Sequence, residues 1–133
     1  AIWSDTAIWS DAILGSGDHN MSCALIGRVQ DSIHGQMNTS FKDYWNTWQE
    51  RAEEYIKRNI GYMKGTIAHY FHGKKVDRRY ADRWKILIEE NFDYLKDLKR
   101  DPQGVFMLTD RNTVLRDKLK RYFLERNEDS IDV

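Results

Sequence analysis

One cysteine and one proline stand in this chain of 133 residues, and neither charge is in excess. The single thiol, Cys23, cannot close an internal disulfide and has no partner cysteine for a zinc site. That scarcity fits a reducing, cytoplasmic setting. Cys23 lies in an apolar, helix-like run, which makes it a buried thiol rather than a nucleophile. Lys and Arg total 21, and Asp and Glu total 21. No global field draws the chain to nucleic acid or to an anionic membrane, so any electrostatic function has to be local. No apolar run approaches the roughly 18 residues of a membrane span. The N-terminus lacks the basic segment and long apolar core of a signal peptide. Also missing are a phosphate loop, a Gly-x-Gly-x-x-Gly fingerprint, and any Ser-His-Asp or Cys-His signature.

What is present is a core-forming chain, 41% hydrophobic and 13% aromatic. Its length suits one domain that needs no metal or disulfide staple. Residues 1–11 hold the pentapeptide AIWSD twice, at Ala1–Asp5 and Ala7–Asp11, which reads as a local duplication or a cloning scar. A start on Ala suggests a processed or excised piece. Residues 12–126 form the expected domain, and 127–133 an acidic tail that frays.

Helical and strand periods place the elements. Ser16 or Asp18 is positioned to cap a helix running to about Arg28, with Met21, Ala24 and Leu25 on its apolar face. The polar stretch QDSIHGQMNTS follows as a loop. Ser40 and Asp43 resemble a capping box for the next helix. Phe41, Tyr44, Trp45, Trp48, Ala52, Tyr55 and Ile56 recur along it at spacings of three and four, a core stripe suited to packing on a sheet. Thr66–Phe71 is rich in β-branched and aromatic types and reads as a strand; its period of two puts His69 and His72 on opposite faces. Asp77 is then expected to cap a helix to about Asn91, with Tyr80, Trp84, Leu87, Ile88 and Asn91 on one side. A polar connection over residues 93–104 contains Pro102. Residues 104–108, GVFML, suggest a short strand. Thr113 starts a last helix, with Leu115, Leu119, Tyr122 and Phe123 at core spacing. The sum is a helix-rich α+β fold of about four helices and a few short strands, with no room for a complete nucleotide-binding βαβ half.

Three features carry candidate chemistry. Gly15, Ser16 and Gly17 precede Asp18 at a helix start. Glycines let backbone approach a ligand, and the helix dipole keeps a carboxylate there ionised, so Asp18 is a candidate general base as well as a candidate cap. His69, on a strand beside a glycine, is a candidate metal ligand through neutral imidazole, or a half-buried histidine with a hydrogen-bond partner. His19, His34 and His72 have weaker cases. Lys74, Lys75, Arg78, Arg79, Arg83 and Lys85 form a basic run that suits a diphosphate or simply a solvated face, diluted by Asp77 and Asp82.

Taken in order, these features resemble the C-terminal half of a glycosyltransferase of the GT-A fold. LGSGDHNM resembles that family's Gly-Gly-acidic-Asp motif, with Asp18 on the position of the catalytic base; Gly17 departs from the usual acidic residue. GTIAHYFHG resembles the strand that ends in a histidine ligand of the catalytic metal, with His69 on that position. The basic loop that covers the sugar nucleotide corresponds to Lys74–Arg79. The likeness spans Ala12 to about Glu90, and the segment LRDKLKRYFLERNEDSID is also similar to uncharacterised phage-type glycosyltransferase-like proteins. It implies a nucleotide-sugar donor, a glycan or other hydroxyl acceptor, and manganese or magnesium. It assigns Gly15, Ser16, Gly17, His19, Trp45, His72, Lys74, Lys75 and Arg78 to substrate binding. The Asp-x-Asp motif and nucleotide-binding half of that family do not occur in these residues. The chain is therefore expected to be an acceptor-side half, inactive alone and prone to self-association. The alternatives are a small non-catalytic binding or structural protein and, less well supported by the balanced charge, a nucleic-acid-binding module.

Overall fold

A computed structural model describes residues 13–68 and 74–127. Among the described residues are five α-helices and one two-stranded antiparallel sheet, so the helix-rich α+β reading holds. In chain order they are α1 (Gly17–Leu25), a 3-10 turn (Val29–Ser32), α2 (Thr39–Ile56), α3 (Lys85–Glu89), α4 (Tyr94–Asp97), β1 (Leu98–Arg100), β2 (Phe106–Leu108) and α5 (Thr113–Glu125).

The central element is α2. Phe41, Trp45, Trp48 and Ala52 are buried at spacings of four, three and four, the stripe a helical period demands. Its cap is Asn38 rather than the expected Ser40. The Asn38 side chain accepts from the Ser40 amide and hydroxyl, both at 2.9 Å, so the helix begins at Thr39. The Ser40 hydroxyl oxygen accepts instead from the Tyr94 amide at 2.9 Å and ties α2 to α4. Tyr55, expected in the core, is exposed, because the stripe leaves the core in the last turn. The buried face of α2 meets α1, the 3-10 turn and α4 rather than a sheet. Two strands of three residues offer too little surface to cover the 18 residues of α2.

Helix α1 stops at Leu25, short of the expected Arg28. Gly27 turns the chain at φ 76°, and the Arg28 amide donates back to the Cys23 carbonyl at 2.8 Å. Part of the expected loop beyond it is the 3-10 turn, held by the Val29 amide donating to Gln49 Oε1 at 2.8 Å.

The helix expected over residues 77–91 forms only as α3. Residues 75–84 are a chain of turns, and Arg79 takes a left-handed φ of 48°, which no α-helix accommodates. Asp77 therefore caps nothing, and Tyr80, expected on the apolar face, is half exposed. Conversely, the expected connection over 93–104 contains α4 and β1, elements too short to show a period. Asp93 caps α4 by accepting from the Leu95 amide at 3.0 Å. Strand β2 lies inside the expected GVFML strand, with Leu98 opposite Leu108 and Arg100 opposite Phe106. Helix α5 starts at Thr113 as expected, capped by Asn112, which accepts from the Leu115 amide at 2.9 Å. Leu115, Leu119 and Tyr122 are buried, while Phe123 is half exposed.

The core joins Leu14, Phe41, Trp45, Leu87, Phe92, Leu115 and Tyr122. Phe41 and Phe92 meet edge to face, with ring centres 6.3 Å apart. Thr66–Ala68, the described part of the expected strand, is exposed and has no regular structure; the rest of that strand lies outside the described residues. Among the described residues, no helix is long and apolar enough to cross a membrane.

Candidate functional site

The loop before α1 is built on two successive residues with positive φ. Gly15 has φ 84° and Ser16 has φ 68°. Glycine adopts this region freely; a serine there costs about 1–2 kcal/mol and needs other contacts to hold it. Those contacts come from two sides. From α1, the Asn20 amide donates to the Ser16 carbonyl at 3.0 Å. The Asn20 side chain, oriented so that both its amide atoms are satisfied, donates to the same carbonyl at 2.9 Å and accepts from Trp45 Nε1 at 3.2 Å. Asn20 is fully buried, and this pairing is what permits it.

From the turn chain, Arg83 reaches the same serine. Its Nη2 donates to Ser16 Oγ, and its Nη1 donates to the Tyr122 hydroxyl at 3.4 Å. The Tyr122 hydroxyl in turn donates to the Arg78 carbonyl at 3.0 Å. Arg83 is only 2% exposed. Its guanidinium lies 4.6 Å from the Tyr80 ring centre and 5.7 Å from that of Trp84, so aromatic faces take the place of water around it. A β-carbon on Gly15 would stand 3.4 Å from Arg83 Nη1, so the guanidinium lies directly against this loop.

Ser16 thus precedes α1 without capping it through its side chain, because its hydroxyl is engaged by Arg83. Asp18 and His19 follow in the first turn, and both are exposed. The outcome is an open carboxylate at a helix start, above a loop gripped from inside by Arg83 and Asn20.

The other expected site residues are dispersed. Trp45 is 2% exposed, and its indole packs in the core, so neither ring face is open to a sugar. Its route to the loop is the hydrogen bond to Asn20. Lys74 and Lys75 are exposed. Arg78 is half-buried and donates to the Tyr80 hydroxyl at 2.9 Å. Arg79 is paired with Asp82 at 3.0 Å and lies 3.8 Å from Glu125. The hydrogen bond to Arg79 is the main cause that holds the Asp82 carboxyl below its usual range. The basic run is therefore not one surface: Arg83 points inward, Arg79 is neutralised by acids, and Lys74 and Lys75 face solvent. His69 and His72 lie outside the described residues. Among the described residues, no three His, Cys, Asp or Glu side chains come together to hold a metal ion.

Sequence reasoning placed Tyr122 in the core but missed the partners of its hydroxyl, the role of Asn20 and the inward turn of Arg83. No spacing signalled Arg83, because residues 75–84 are turns and not the expected helix. Asn20 did have a sign, its place one helical turn before the buried Ala24. No family model, no curated protein and no solved structure matches this chain.

Proposed function

We propose that the chain is the acceptor-side part of a glycosyltransferase-like enzyme, with Asp18 as the general base. The observation that carries the reading is the open Asp18 carboxylate in the first turn of α1, on a loop held from inside by buried groups. A base has to reach the acceptor hydroxyl and keep its place while it does so. In this reading Asp18 takes the hydroxyl proton as the acceptor oxygen bonds to the anomeric carbon of the donor sugar. The bond from that carbon to the phosphate oxygen breaks, and the nucleoside diphosphate leaves with the bonding electrons. Lys74 and Lys75, exposed and cationic, suit contact with the diphosphate. His69 is proposed as one ligand of a manganese or magnesium ion, the other ligands belonging to a nucleotide-binding half.

The test is a transfer assay on the longest natural chain that carries this sequence, with uridine diphosphate sugars and manganese. Asp18→Asn should abolish transfer while donor binding persists. Near-normal turnover of that variant would remove Asp18 from the chemistry. A thermal midpoint that rises with donor and manganese would support a sugar-nucleotide site.

A further inference from the structure

Among the described residues no carboxylate pairs with Arg83, and its Nε has no hydrogen-bond partner. A buried cation of this kind is a poor stabiliser. Even a buried ion pair can often be replaced by apolar side chains of similar volume without loss of global stability, and a buried cation with no paired carboxylate carries the desolvation cost with less to offset it. What the arginine does provide is a rigid two-pronged grip on the Ser16 hydroxyl and the Tyr122 hydroxyl, spanning 67 and 39 residues of sequence respectively. Ser16 lies two residues before Asp18 and holds a left-handed φ that it would not keep unaided.

We infer that Arg83 is the positioning residue of the candidate site. It fastens the Gly15–Gly17 loop to α5 and thereby sets where the Asp18 carboxylate projects. This rests on the reading of Asp18 as the base. It also removes Arg83 from the phosphate-binding role that the basic run suggests. Its Nη atoms are committed to two hydroxyls and its side chain is out of solvent, so diphosphate contact falls to Lys74 and Lys75. Lysine at position 83 keeps the charge but not the fork. Methionine keeps most of the volume and neither.

The experiment compares Arg83→Met, Arg83→Lys and Ser16→Ala with the parent chain by amide hydrogen exchange and thermal midpoint. A second arm measures transfer kinetics in the longest natural chain. Exchange at the Asn20 amide, which donates to the Ser16 carbonyl, should quicken about tenfold in all three variants, the scale of one lost charge-assisted hydrogen bond. The midpoint of Arg83→Met should hold or rise. In the kinetic arm kcat should fall with the donor KM unchanged. Unaltered exchange at Asn20 in Arg83→Met, or in Ser16→Ala if the first variant does not fold, overturns the inference. So does a rise in donor KM at constant kcat, which would mean that Arg83 holds the donor. Faster Asn20 exchange together with no transfer by the unsubstituted chain supports the loop role of Arg83 and counts against the glycosyltransferase reading alone.

Discussion

The Asp97 carboxylate accepts two hydrogen bonds from the Arg111 guanidinium, from Nε at 2.7 Å and from Nη2 at 2.6 Å. Asp97 is buried at the end of α4, while Arg111 lies just before α5 and stays half exposed. The pair closes the hairpin against the last helix. A third bond comes from the Asp93 amide, which donates to Asp97 Oδ2 at 2.8 Å. Asp97→Ala leaves that amide and the guanidinium without their acceptor, and should lower stability by about 2–3 kcal/mol. Arg111→Ala should act in the same direction, since it strands a buried carboxylate. Urea unfolding of both variants measures this, with an unchanged midpoint counting against a structural role for the pair.

Asp18→Asn should leave folding almost untouched, within about 0.5 kcal/mol, because the side chain is exposed and asparagine is also tolerated at a helix start. The same substitution should remove transfer if Asp18 is the base. Thermal unfolding of the variant therefore has to accompany the activity assay, so that loss of chemistry is separated from loss of fold.

Trp45→Ala should cost about 3–5 kcal/mol, as expected for a large side chain that is fully enclosed. Trp45→Phe should cost less, yet it removes the indole donor to Asn20 and should loosen the Ser16 loop. Exchange of the Asn20 amide, which donates to the Ser16 carbonyl, reports this. A Trp45→Phe chain with wild-type stability and a weaker sugar affinity would instead place Trp45 at a ligand.

Stability should decline on acidification in a manner traceable to Asp93. Burial works against its charge, but the Lys96 ammonium at 3.1 Å and the Leu95 amide outweigh it and lower its pKa in the folded chain. The unfolded chain then binds more protons in the window just below the ordinary carboxylate value of about 3.9. The Asp93 contribution is fully present above that value and is lost as pH falls through the folded pKa. Asp93→Asn keeps a capping side chain and should flatten this part of the acid limb. Denaturant midpoints at pH 3 and pH 6 for both chains make the comparison.

Much of the framework was legible in the residues. The α2 stripe and the start of α5 follow from spacings of three and four, since one face of a helix must be apolar to bury. The glycines before Asp18 likewise announced a turn and a helix start. Boundaries were harder: α1 ended early at a glycine with positive φ, and Asn38 displaced Ser40 as the cap of α2 because its side chain reaches the second amide. α4 and β1 were invisible for want of length. The helix expected over residues 77–91 dissolved into turns because Arg79 takes a left-handed φ, a choice that local propensity does not record.

The candidate site divides in the same way. Sequence alone marked Asp18, because a carboxylate after Gly-Ser-Gly at a helix start is a local pattern. It also marked a basic run. Only the tertiary fold decided that Arg83 leaves that run to grip Ser16 and Tyr122, and that Trp45 serves the loop through Asn20 from within the core. The physical reason is range. Caps, turns and stripes are set by neighbours within a few residues. A guanidinium that joins positions 16, 83 and 122 depends on how three elements pack, and no spacing along the chain encodes that.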